Sequence, residues 1–191
     1  MTPRARRRVA LALAALTLPV VVLTACTTAS STSGATTTGV PASPTSANPY
    51  GSAPVDPPGP TEPVLTVTGP RGTTAYTLAE LEALGTRTVT VNEPFVKAVR
   101  TFTGVPMQAV LDAAGIPPTA TVETVALNDY RYSTTAEAFI GSEALIATEQ
   151  DGGPVPYDQG GPIRLVFPDG SELSSVLDAW NWSLTSLDVS T

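Results

Sequence analysis

The composition of the chain breaks at Pro63. Of the 36 residues from Thr27 to Glu62, 30 are Thr, Ser, Pro, Ala or Gly, with no apolar periodicity and almost no large apolar side chain. Such a segment cannot bury enough surface to offset the entropy of ordering it. Folding is therefore expected of residues 63–191, where apolar and polar residues alternate between regular turn signals. Those 129 residues amount to one domain, large enough for a core. The preceding stretch reads as a disordered tether with a reach of about 30–36 Å. Its Thr/Ser/Pro content also suits O-glycosylation.

Ahead of the tether, Arg4, Arg6, Arg7 and Arg8 form a cationic cluster, and Val9 to Ala25 are 17 uncharged, mostly apolar residues interrupted by Pro19. That is the build of a secretory signal, too short for a spanning helix. Leu23-Thr24-Ala25-Cys26 resembles the lipobox of bacterial lipoproteins, which implies removal of residues 1–25 and lipidation of Cys26 as the first mature residue. The expected organisation is a signal at 1–25, a lipidated Cys26 with its tether at 26–62, and a domain at 63–191. This makes the protein extracytoplasmic and anchored to the membrane through Cys26. Arg6-Arg7-Arg8 leaves twin-arginine export open beside the general route.

The chain has no His and one Cys, so a Ser-His-Asp triad, a Cys-His pair, an imidazole-held metal and an internal disulfide all lack their parts. Without residues 1–25 it carries 6 basic and 17 acidic side chains, a formal charge of −11. That excludes a nucleic-acid-binding surface and disfavours anionic lipid headgroups. The acidic run Glu143, Glu149, Asp151 and Asp158 lacks the alternating Asp/Asn-Gly loop of a calcium site and reads as a solvated face. Paired carboxylates for hydrolysis have nothing in their favour beyond the presence of Asp and Glu.

Within the domain, Val64 to Thr68 and Thr73 to Thr77 alternate as strands about a Gly69-Pro70-Arg71-Gly72 turn. Thr77 stands three residues before Glu80, a capping box opening a short helix that Gly85 stops. Thr86 to Val91 and Phe95 to Thr103 read as strands around Asn92-Glu93-Pro94. Met107, Val110, Leu111 and Ala114 follow helical spacing up to Gly115. Thr121 to Leu127 and Tyr132 to Thr135 read as strands, Ala136 to Ile140 as a helical turn, and Ala144 to Thr148, Ile163 to Phe167 and Trp182 to Val189 as strands. The class is α+β, rich in sheet.

These pieces occur in a telling order. Phe102-Thr103-Gly104-Val105-Pro106-Met107 leads into a helix ending Ala114-Gly115. Then come Ala126-Leu127-Asn128-Asp129-Tyr130, Asp151-Gly152-Gly153-Pro154-Val155, Gly160-Gly161-Pro162-Ile163-Arg164-Leu165-Val166-Phe167-Pro168 and a late Trp. Residues 63–191 thereby resemble the molybdopterin-binding domain of the sulfite oxidase and periplasmic methionine sulfoxide reductase superfamily. The resemblance implies that fold, a molybdopterin cofactor and a Cys thiolate on molybdenum. Residues 63–191 contain no Cys, and the stretch where the thiolate should fall, about 91–103, offers Asn92, Glu93, Thr101 and Thr103. Oxygen ligands poorly replace a soft thiolate.

Two readings follow: a binding or accessory module that has lost the metal, and a molybdopterin-dependent oxidoreductase with an atypical cofactor site. The ligand-binding candidates are Tyr130, Arg131, Tyr157 and Arg164, expected to converge on one concavity suited to a small anion or a protein partner. Tyr130, Tyr157, Trp180 and Trp182 have rings and polar handles fit either to line a pocket or to pack in the core. Arg164 lies in an apolar strand, where a charge needs a partner. It reads as a buried pair with a carboxylate such as Asp129 or Asp158, or as a ligand for an anion.

Overall fold

In the computed structural model, residues 57–190 are described. Two antiparallel hairpins come first among the described residues. The first joins β1 (Pro63–Gly69) and β2 (Gly72–Thr77). The second joins β3 (Arg87–Glu93) and β4 (Ala98–Pro106). Between them lies α1 (Leu78–Glu82). Its capping box forms as the sequence predicts: the Thr77 side chain accepts from the Glu80 N–H, and the Glu80 carboxylate accepts from the Thr77 N–H.

Next in the chain are α2 (Met107–Ala114), β5 (Thr121–Ala126), β6 (Arg131–Thr135), α3 (Ala136–Gly141) and β7 (Leu145–Gln150). The two-residue β8 (Gly153–Pro154), β9 (Arg164–Val166) and β10 (Leu184–Ser190) complete the strands. Helix α2 buries Met107, Val110, Leu111 and Ala114, the spacing read from the sequence. Its last carbonyls would lack partners, but Arg71, on the β1–β2 turn, donates to the carbonyls of Asp112 and Ala113 at 2.8 Å each.

One sheet runs in the order β2-β1-β10-β5-β6, with β10 parallel to β1 and antiparallel to β5. The other runs β3-β4-β7-β8, and β9 pairs directly with the start of β7, from Leu145 to Ala147. The two sheets and the helices share one core, including Leu65, Val67 and Leu187 from the first sheet, Phe102, Ile146 and Leu165 from the second, and Leu111 and Phe139 from the helices. At Gly104 the backbones of β4 and β7 approach so closely that a Cβ would lie 2.2 Å from the Ile146 carbonyl oxygen. No larger residue fits there.

The α+β, sheet-rich class holds, with three local corrections. The turn after β3 occupies residues 94–97, so Phe95 is not extended; Lys97 takes φ +53° to re-enter β4. Pairing in β9 covers only Arg164–Val166, because Pro162 and Pro168 bracket the run and neither has an N–H to donate. Trp182 precedes the last strand instead of starting it: Ser183, at φ +51°, breaks the extended path.

Candidate functional site

Three loops meet at one end of the fold: the β3–β4 turn, the β5–β6 turn, and the connection through residues 176–183. They enclose a cavity of about 480 Å³ lined by Phe95, Ala126, Asn128, Tyr130, Leu177, Asp178, Trp180 and Trp182. Each loop contains a non-glycine residue in the left-handed region: Lys97, Asp129 (φ +63°) and Ser183. Such backbone costs about 1–3 kcal/mol per residue and gathers where surrounding structure fixes it for function.

Each loop also has its own restraint. In the β5–β6 turn the Asn128 side-chain oxygen accepts from the Tyr130 N–H at 3.1 Å. The Tyr130 hydroxyl donates to the Asp178 carbonyl at 3.1 Å, tying that turn to the 176–183 connection. Partial burial, reinforced by Asp178, raises the Tyr130 phenol above its ordinary value of 10.0, so the ring keeps its proton and its donor. Trp180 is buried and donates its indole N–H to the Ser174 carbonyl at 3.2 Å.

The β3–β4 turn is held from below by Glu93. One of its oxygens accepts from the N–H groups of Phe95 (2.9 Å) and Val96 (2.6 Å). The other accepts from Arg164 Nη2 at 2.7 Å, with both side chains only 1% exposed. Arg164 Nη1 donates to the Gln159 carbonyl at 2.9 Å, and the guanidinium lies 4.3 Å from the ring centroid of Trp182. Phe95 closes the circuit, with its ring centroid 5.3 Å from that of Trp182 in an edge-to-face arrangement. Desolvation lowers the Arg164 pKa, and the hydrogen bond and charge of Glu93 oppose that shift. A buried ion pair thus forms the floor beneath an aromatic cavity.

The four ligand-binding candidates do not share one concavity. Tyr130 lines the aromatic cavity. Tyr157 sits in a 3₁₀ turn and lines a separate recess of about 190 Å³ with Pro58, Glu62 and Leu184. Arg131 is on the edge strand β6, paired with Glu123 at 2.5 Å. Arg164 is buried, and its carboxylate partner is Glu93, 71 positions away, in place of the Asp129 or Asp158 expected from sequence. Of the aromatic residues singled out, Tyr130, Trp180 and Trp182 come together and Tyr157 does not. Phe95, Leu177 and Asp178, which sequence reasoning passed over, complete the wall. Phe95 gave a signal only as a large apolar residue beside Pro94 in a run read as strand. Within the acidic run, Asp151 pairs with Arg100 at 2.9 Å and Glu143 with Arg87 at 3.5 Å. Among the described residues no group of three His, Cys, Asp or Glu gathers as a metal site.

The cofactor that the resemblance implies finds a poor donor set here. In residues 91–103, Glu93 is the one buried carboxylate, and both of its oxygens are engaged, with Arg164 and with the turn N–H groups. No thiolate or imidazole exists in the domain to take its place. These residues do not fit a thiolate-held molybdenum.

Residues 94–176 match the model of the oxidoreductase molybdopterin binding domain. A crystal structure of the sulfane dehydrogenase SoxCD from Paracoccus pantotrophus superposes with a TM-score of 0.54 at 17% identity, covering 65% of this chain and 37% of that one. At that identity the likeness is one of fold, and this chain spans little more than a third of that protein. No curated protein matches the chain at a significant level. The matched segment runs from the β3–β4 turn, through the β4–α2 entry and the Gly-Pro-x-Arg strand, to the connection before Trp180. Residues 94–176 are thus similar to the oxidoreductase molybdopterin binding domain, within a fold similar to that of the sulfane dehydrogenase.

Proposed function

We propose that this protein is a membrane-anchored extracytoplasmic lipoprotein whose molybdopterin-oxidoreductase-like domain acts as a non-catalytic binding or accessory module that has lost the metal. The observation that carries the reading is the Glu93 carboxylate. In the stretch where the family's thiolate is expected, this chain places a side chain whose oxygens are already occupied by Arg164 and by two backbone N–H groups. Three hydrogen bonds take most of the acceptor capacity of this carboxylate, and it is buried as the counter-ion of Arg164.

The anchor rests on Leu23-Thr24-Ala25-Cys26 behind a basic cluster; these residues lie outside the described part of the chain. The binding role rests on the cavity above Glu93 and Arg164. Its lining is rich in aromatic side chains and includes no Arg among the described residues, which favours an apolar or protein ligand over the small anion expected from the sequence.

The deciding measurement is elemental analysis with pterin fluorescence on protein made in a host that synthesises the cofactor. Protein free of molybdenum and pterin is expected. Near-stoichiometric molybdenum would establish the oxidoreductase with an atypical cofactor site instead.

A further inference from the structure

The aromatic cavity has a chemical character that neither the fold nor the family assigns. Four of its lining residues are aromatic: Phe95, Tyr130, Trp180 and Trp182. Among the described residues, Asp178 is the one charged residue of the lining, and no Lys or Arg lines the space. Asp178 is exposed, and no cation pairs with it among the described residues. Arg164 touches Trp182, but Glu93 at 2.7 Å cancels its charge, so no net positive charge stands behind the indole.

A solvent-facing cavity lined by four aromatic side chains, with one unpaired carboxylate and no Lys or Arg among its described lining residues, attracts positive charge on an apolar body. Its volume of about 480 Å³ lies within the range of small-molecule sites. The acidic balance of the chain, 17 acidic against 10 basic residues, draws the same class of ligand from a distance. An anion would meet the Asp178 carboxylate and the electron-rich rings, with no Lys or Arg among the described lining residues to hold it.

We infer that this cavity binds a small organic cation with alkyl substituents on nitrogen, of the quaternary ammonium class. The aromatic walls would take the methyl groups and Asp178 the charge. This deepens the binding-module reading and rests on it.

The chain offers a direct readout, because its two tryptophans, Trp180 and Trp182, both line the cavity. Intrinsic fluorescence of the purified full chain would be titrated with choline and, separately, with its neutral carbon isostere 3,3-dimethylbutan-1-ol, at constant ionic strength and to concentrations of order 10 mM. Saturable change with choline and at least about tenfold weaker response to the isostere is expected. Asp178→Asn should weaken choline about tenfold and leave the isostere unchanged, with an unaltered melting temperature showing that the variant is folded.

Equal binding of choline and isostere to the unsubstituted chain would overturn the cation assignment while leaving an apolar binding module intact. No response to either would overturn the site itself. The molybdenum content of the same preparation tests the non-catalytic reading independently, so failure of one is not mistaken for failure of the other.

Discussion

Glu93 and Arg164 stand 71 residues apart in sequence and meet at 2.7 Å in the interior, each 1% exposed. The pair holds the β3–β4 turn against the Gly-Pro-x-Arg strand and supports Trp182 from beneath. Removing one member leaves the other charged and unpaired in low dielectric, so Arg164→Ala should cost about 3–5 kcal/mol. The double change Glu93→Leu with Arg164→Met removes both charges and should recover most of that loss. Denaturant melts of the single and double variants measure both numbers; additive losses would show that the two residues are not energetically coupled.

Gly160 governs how Trp182 packs. It sits at φ +90°, and a Cβ there would lie 2.8 Å from Trp182 Cγ. Gly160→Ala therefore meets a left-handed backbone and a clash together and should lower stability by about 1–3 kcal/mol. It should also shift the emission maximum, because the indole must move. Fluorescence and thermal melts on one preparation read both effects.

Acid sensitivity should localise to two exposed carboxylates. The backbone N–H of Thr77, followed by its side chain, lowers the Glu80 pKa below the ordinary 4.5. The backbone N–H of Thr101 lowers that of Asp151 below 3.8, against desolvation and with help from Arg100. A group whose folded pKa is depressed contributes its stability in full above its unfolded value and loses it as pH falls through the folded one. The loss therefore develops below about pH 4.5 for Glu80 and below about pH 3.8 for Asp151. Glu80→Gln and Asp151→Asn should each flatten the decline in melting temperature between about pH 5 and pH 2. A decline as steep as in the unsubstituted chain would assign acid sensitivity to other groups.

On the proposed anchoring, Cys26→Ser should move the protein from the membrane fraction to the soluble extracytoplasmic fraction, since loss of the thiol removes every acyl chain attached there. Fractionation with the tether intact checks this. Retention of processed Cys26→Ser in the membrane would place the anchor elsewhere.

Local signals in the sequence were enough for the β1–β2 hairpin, the Thr77 capping box and the apolar face of α2, since each is written within a few adjacent residues. The candidate site was harder to read because its parts are joined by contacts between distant segments. Arg164 was recognisable as a charge in need of a partner, but nothing near it in sequence names Glu93. That same carboxylate draws the N–H groups of Phe95 and Val96 into a turn, turning a stretch with extended patterning into one wall of the cavity. Tyr157 shares the aromatic character of Tyr130, yet its 3₁₀ turn delivers it to a different recess. Ring type is visible in a sequence, and loop direction is not.

The position of β10 bears on how the chain becomes a protein. Ser186 pairs with Thr66, about 120 residues earlier, and the strand fills the gap between β1 and β5. During synthesis the β1–β2 and β5–β6 hairpins both emerge well before the strand that joins them. Until it arrives, each presents an open inner edge able to pair with the wrong neighbour. The first sheet closes in one late, long-range step, the kind of step that slows folding. A chain stopped short of Leu184 would be left with two half-sheets and no shared centre, prone to association with copies of itself.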